Sequence, residues 1–363
     1  MRDIREINVN YYKSGGIGKM KKVIKRSLII MMILGVMGCG QQVQKPGEQD
    51  GSSGEGLKLG ETTKSVFSAF VDLITNALGI SVTSATKKSD VSDKFKDLAS
   101  SIDRAISQVH LAVSKAGINF EEVKDGSVVQ ARKTLDELKK HITSLQTLTN
   151  ESLVVSGVTA SSASGVGGVG SSVEDVKGSL IALKGIVAAN TNKGVEPKNN
   201  QKVSSDEKEG GKVLLTGGAG AAVAADAAKA LSIVTSVTGE EMLYAISSAD
   251  EADVSIAANI NTATDPKHAV KLAVTGTATT AADAQNASKV ALAGGIALRS
   301  LLKGGKLDAN AAAADTMAVN GVGVSAANKL LRAIENIAQV IIKQCLEQIE
   351  QILGDGKSKI VKE

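Results

Sequence analysis

The sequence predicts an all-α fold, an elongated helical bundle with long N- and C-terminal helices and with short Ala/Gly-rich helices and loops at its distal end. Two observations carry the prediction. Apolar residues recur at alternating steps of three and four over several long stretches, the spacing that puts them on one face of a helix. Aromatic residues make up only 2% of the chain and tryptophan is absent, so Ala, Val, Leu and Ile must fill the core. Small side chains favour close helix packing, and the β-rich runs that a long parallel sheet requires are missing.

Residues 62–78 read as the first helix, with Phe67, Phe70, Val71, Ile74 and Leu78 on one face and Gly79 suited to its end. Residues 90–116 carry a heptad-like seam of Val91, Phe95, Leu98, Ile102, Ala105 and Val109, stopped at Gly117. Residues 127–150 repeat the pattern through Val128, Ala131, Leu135, Leu138, Ile142 and Leu145. Residues 172–189 open on a capping box, Ser172-x-x-Asp175, and line up Val173, Val176, Leu180, Leu183 and Val187. Short links between such helices mark an antiparallel bundle.

The pattern then changes. Residues 156–170 are a Ser/Gly/Val tract, and loops are expected near 150–171. Residues 190–212 hold Pro197 and the charge run Ser205-Asp206-Glu207-Lys208-Glu209, and read as an exposed, mobile loop. From 214 to 323 the chain is rich in Ala, Gly and Thr, with short helices expected at 219–237, 240–248, 266–274, 279–302 and 309–317 and loops between them. Pro266 fits a helical first turn. Residues 325–353 form the long final helix, striped by Ala327, Leu331, Ile334, Ala338, Ile341 and Cys345. Residues 354–363 are a tail.

The most specific chemical motif lies near the start. Lys19, Lys21, Lys22, Lys25 and Arg26 precede an apolar run from Leu28 to Met37, which is far short of the roughly 20 residues of a spanning helix. Gly38 then stands before Cys39, with Val36 two residues earlier. A small residue before a cysteine, after a basic head and a short greasy run, is a bacterial lipoprotein signal. The expected products are cleavage between Gly38 and Cys39, and N-acyl and S-diacylglycerol groups on Cys39. Residues 1–38 are thus read as the signal peptide, with 1–19 an over-long start before Met20. Residues 39–60 are the polar tether such an anchor needs, and 61–353 a single helical surface domain. The long helices are expected to pack together near the membrane and carry the Ala/Gly-rich segments outward.

Removing the signal changes the electrostatics. The full chain has 42 basic and 38 acidic residues. Taking away the eight basic and two acidic residues before Cys39 leaves 34 and 36, a net charge of −2. The argument for nucleic-acid binding goes with it. With Cys39 acylated, Cys345 is the sole remaining cysteine, so no internal disulfide braces the fold. Its place on the apolar stripe reads as a buried, inert thiol.

Other motifs weigh little. Gly165-x-Gly167-x-x-Gly170 has the letters of a dinucleotide fingerprint, but no strand precedes it and position 190 is Asn instead of an acid. Gly321-x-Gly323-x-x-Ala326 reads as a helix-entry turn. His110, His141 and His268 are widely spaced, with no metal-ligand pairing and no nucleophile elbow, so neither a metal, nor a cofactor, nor an enzyme activity is expected. Lys87-Lys88, Lys139-Lys140 and Lys303 to Lys306 are small basic clusters. Lys303 and Lys306 are candidates for weak contact with sulfated glycans or glycolipid heads.

The chain resembles the variable large proteins, the variable major outer-surface lipoproteins of relapsing-fever spirochaetes. The resemblance rests on Gly38-Cys39-Gly40-Gln41-Gln42, on 67–80 (FSAFVDLITNALGI) and on 83–95 (TSATKKSDVSDKF). It continues in 296–307 (IALRSLLKGGKL) and 322–333 (VGVSAANKLLRA). It implies an all-helical lipoprotein of the outer membrane, acylated at Cys39 and without catalytic residues. The implied activity is antigenic: one member is displayed at a time, and switching evades host antibodies. The alternative is an adhesin for host glycans, glycolipids or plasma proteins.

Overall fold

The computed structural model describes residues 68, 79–115, 127–161, 167–190, 200–216, 220–255, 259–275 and 284–360. Its first long helices follow the apolar seams. Helix α1 (Lys88–Lys115) buries Val91, Phe95, Leu98, Ile102, Ala105, Val109 and Val113. Helix α2 (Ser127–Thr149) buries Val128, Ala131, Leu135, Leu138, Ile142 and Leu145 against it. Helix α3 (Val173–Ala189) packs on α2, and the Ser172 hydroxyl caps it by accepting from Asp175 N at 3.0 Å. The expected helix at 62–78 lies outside the described residues, apart from the helical Ser68.

The Ala/Gly-rich part folds into α4 (Ala224–Ser236), α5 (Gly239–Ser247), α6 (Ala269–Val274) and α7 (Lys289–Leu301). A full capping box starts α5: Glu241 N donates to Thr238 Oγ1 at 3.1 Å, and Thr238 N donates to Glu241 Oε2 at 2.8 Å. A 3-10 turn, Pro266–His268, leads into α6. Helix α7 lies at the centre, and every residue from Val290 to Leu301 is buried. Its glycines let α6 approach closely, since a Cβ on Gly294 would stand 2.9 Å from Ala269 Cβ and one on Gly295 2.7 Å from Leu272 Cβ. One continuous core joins these helices to the α1–α3 bundle, and all described residues belong to one unit, 54–363.

Four local expectations change. Two short strands exist, β1 (Val158–Ser161) and β2 (Leu307–Asn310), paired in parallel with Val158 opposite Leu307. This small sheet rests on a helical bundle and leaves the all-α class in place. The helix expected at 309–317 instead begins at Ala313, after β2, and runs unbroken into the final helix as α8 (Ala313–Ile360). Gly321 and Gly323 therefore sit inside a helix and do not open one. Each costs about 1 kcal/mol relative to Ala, but a Cβ on Gly323 would lie 1.9 Å from Ser156 Oγ, so packing demands it.

In the expected helix 279–302, residues before 284 lie outside the described set and helix starts only at Lys289. The preceding turn is pinned by Asn286 N to Val203 O at 3.1 Å and Ser288 N to Ala263 O at 2.8 Å. Finally, the segment read as a mobile loop is anchored wherever it is described. Lys208–Leu214 is a 3-10 helix with Gly210, Gly211, Val213 and Leu214 buried. Glu207 from the charge run pairs with Lys289 at 2.8 Å and accepts from Ser232 Oγ at 3.0 Å. Those carboxylates have specific partners, which a charge count alone does not reveal.

Candidate functional surface

Gly38 and Cys39 lie outside the described residues. Lys303 and Lys306 lie in the turn between α7 and β2, where Gly304 adopts φ +70, a left-handed conformation suited to glycine. Both are half-buried, and their backbones act as staples: Lys303 N donates to Leu148 O at 3.1 Å and Lys306 N to Val169 O at 2.7 Å. The structure brings this turn beside Lys87-Lys88, which sequence left far apart. Lys88 is fully buried, and its Nζ donates to Leu302 O, to Gly305 O at 2.9 Å and to Glu151 Oε2 at 3.4 Å. Glu151 also accepts from Gly304 N at 3.0 Å. Burial pulls the Lys88 pKa down to about 8, against the opposing pull of Glu151. Lys139 and Lys140 lie on α2, paired with Asp103 and Glu137.

A second buried cation sits in α7. Arg299 is fully buried and donates from Nε to Leu272 O at 2.8 Å, satisfying a carbonyl at the end of α6. Burial draws its pKa down to about 9, while Asp308 on β2 pulls it upward. Lys329 on α8 caps α4 in the same manner, donating to Val234 O at 2.8 Å, Thr235 O at 3.0 Å and Val237 O at 2.6 Å. Desolvation offsets much of what such a buried or half-buried cation gains from its partners.

The segment entering the fold is strapped to α8. Glu335 Oε1 accepts from Ile80 N at 2.6 Å and Gly79 N at 3.1 Å. Asn328 pairs both polar groups of one residue, accepting from Val82 N and donating to Val82 O, each at 2.8 Å. Burial pushes the Glu335 carboxyl pKa upward, and the two amide donors oppose the shift.

The remaining motifs are structural. His141 packs under Gly185, and burial lowers its pKa; His268 is lowered by the same cause and accepts from Asp265 N through Nδ1. Gly168 and Gly170 press on the backbones of Lys306 and Val274, which leaves no cradle for a phosphate. Cys345 is buried with its thiol pKa pushed up to about 12, so it stays protonated and unreactive. No group of three His, Cys, Asp or Glu placed to hold a metal ion occurs among the described residues. Among them, too, no helix is long and apolar enough to cross a membrane.

Sequence reading missed the buried roles of Lys88, Arg299 and Glu335. Arg299 alone left a signal: a single cation inside the apolar run Val290 to Leu302.

Residues 63–353 match the profile of a family described as Borrelia lipoprotein. The chain is 34% identical over 345 residues to variable large protein 25 of Borrelia hermsii, covering 89% of this chain and 92% of that one. It is 35% identical over 352 residues to variable large protein 7 of the same organism, covering 91% and 93%. Its fold is similar to the crystal structure of the Lyme disease variable surface antigen VlsE of Borrelia burgdorferi. The TM-score is 0.65 at 22% identity, covering 82% of this chain and 97% of that one.

Proposed function

Because the chain belongs to the Borrelia lipoprotein family of the variable large proteins, we propose that it is a lipid-anchored surface antigen that works by display, not catalysis. Membership in a family named for variation, together with the Gly38-Cys39 motif, is the observation that carries the reading. Acyl groups on Cys39 hold the chain to the outer membrane, and residues 40–60 serve as tether. The helical scaffold keeps its fold through buried seams. Its exposed positions tolerate exchange, since surface substitutions change stability by only about 0.5 kcal/mol. Large apolar residues such as Leu111 and Ile181 stand nearly half exposed, so the outer faces of α1 and α3 are not pinned by packing. Switching among family members would then change what host antibodies meet without changing the core.

Protease treatment of intact cells, followed by immunoblotting, tests the display. Loss of the protein before lysis is expected. Survival until the cells are lysed would refute surface display. In parallel, Cys39→Ala is expected to abolish labelling by radioactive palmitate and to release the chain from the membrane fraction.

A second reading, an adhesin for sulfated glycans, is favoured by one observation: the half-buried Lys303 and Lys306 flank a turn whose Leu302 and Gly305 carbonyls are held by Lys88. Glu151 lies among them and moderates the positive field. Salt-sensitive retention on heparin, lost in the double variant Lys303→Glu/Lys306→Glu, is the outcome this reading requires. Absence of retention at low salt would dismiss it.

A further inference from the structure

One stripe of α8 carries two kinds of surface. Its C-terminal part, from Asn328 to Glu335, is covered by the extended strap 79–82, held through backbone amides and a carbonyl. The chain then turns away at 83–86, where Thr86 N donates to Thr83 O at 3.2 Å. Beyond that turn the same stripe continues toward the N-terminus through Val324, Gly321, Asn320 and Met317, in steps of three and four. Here it faces an open groove of about 550 Å³, walled on the other side by Val158 of β1. Met317 is 74% exposed, the most exposed of the large hydrophobic residues described.

We propose that this groove is a docking site for an uncharged, extended peptide segment of a partner protein, laid along α8 in continuation of the strap. Three observations select that occupant. The strap shows that this face of α8 already receives an extended backbone, with Asn328 pairing the N–H and C=O of one residue. Asn320 offers the same side chain about two turns away; its amide nitrogen donates to Ser156 O at 2.8 Å, which leaves its oxygen directed to other donors. Val158 adds backbone groups. Gly157 O accepts from Leu307 N at 2.9 Å, and in a parallel ladder this register turns the N–H and C=O of Val158 away from β2.

Dimensions and charge agree. Met317 to Val324 spans about 10 Å along the helix, the length of about three residues of extended chain. The volume lies within the usual range of peptide and ligand sites, roughly 300–1,000 Å³. Among the described residues that line the groove none is charged, so a charged segment would lose hydration without gaining a partner from them. Recognition would resemble strand addition, with backbone hydrogen bonds giving affinity and Met317 and Val324 receiving alternate side chains.

Gly321 supplies the test. A Cβ there meets nothing within 4 Å, so a larger residue fills the groove without disturbing the fold. Past Cys39 the chain has two methionines, the fully buried Met242 and Met317. Methyl-labelled lipoprotein in detergent micelles is titrated with capped Thr-Val-Thr-Val peptide. The Met317 methyl signal is expected to move saturably while that of Met242 stays. Gly321→Leu is expected to keep or raise Tm and weaken binding at least tenfold; Gly321→Ala weakens it less. The proposal is overturned if Met317 does not move, or if Gly321→Leu, shown folded by its Met242 signal, binds as before. It also fails if a charged peptide of the same length, capped Glu-Lys-Glu-Lys, shifts Met317 equally. A Met317 signal that follows protein concentration without peptide would assign the groove to a second copy. A Met317 signal altered by Gly321→Leu in the absence of peptide, beyond the local shift seen in Gly321→Ala, would assign it to a segment of the same chain.

Discussion

Helices α1 and α2 and helices α4 to α7 fill one core by opposite means. The first pair interlocks large side chains, with Phe95, Leu98 and Ile102 meeting Leu135, Leu138 and Ile142 along two seams. The second set brings backbones together through Gly239, Gly294 and Gly295, and relies on Arg299 and Lys329 to close carbonyls at helix ends. A seam of large residues is specified by volume. A small-residue interface is specified by the absence of volume, and by polar groups that fix one register. A scaffold made in this way has two kinds of forbidden change inside and wide freedom outside.

The difference can be broken with paired substitutions. Leu135→Ala removes a fully buried side chain from the seam and is expected to cost about 3 kcal/mol, whereas Leu135→Met keeps the volume and costs under about 1.5 kcal/mol. Gly239→Ala should behave in the reverse sense. Alanine is the better helix former, yet its Cβ would stand 2.0 Å from Lys329 O on α8, a backbone atom that cannot swing aside. A loss of about 2 kcal/mol is expected from overpacking. Urea unfolding of the four proteins settles the comparison. A neutral Gly239→Ala would remove the close-approach account of the α5–α8 contact. A Leu135→Met as damaging as Leu135→Ala would remove the volume account of the seam.

The two regions also differed in legibility. Every seam residue named for α1 and α2 is buried, because a three–four period of large residues has one geometric solution. The Ala-rich stretch has no such period, since alanine is compatible with either side of a helix. There the boundaries moved: α7 starts at Lys289, β2 takes residues expected to be helical, and Gly321 and Gly323 run inside α8. The strand pairing was hidden for the same reason, as Val158–Ser161 and Leu307–Asn310 are too short and mixed to announce a period of two. The Cys39 reading rests on chemistry local in sequence, and Cys39 lies outside the described residues. The Lys88, Arg299 and Glu335 contacts were not legible, because each depends on a partner carbonyl or amide far along the chain.

The smallest expected effect concerns charge inside these interfaces. Among described residues, the α1–α2 seam buries no carboxylate, whereas α8 buries Glu335, which is 6% exposed. Burial raises its folded-state pKa above the ordinary carboxylate value, so at pH between the unfolded and folded values the folded protein holds a proton that the unfolded chain has released. The stability linked to this group is therefore fully present below its unfolded pKa and declines as pH rises through the raised one. Both strap amides donate to the same oxygen, Oε1, which the amide oxygen of glutamine replaces. Glu335→Gln is thus expected to leave stability at neutral pH within about 1 kcal/mol of the parent, tending upward. It should also remove part of the parent's decline just above the carboxylate range. Glu335→Ala, which strands two buried amides, should instead cost about 2 kcal/mol or more. Thermal melts of the three proteins across that range decide the matter. If Glu335→Gln is as damaging as Glu335→Ala, the negative charge itself holds the strap, and the burial account of its raised pKa is wrong.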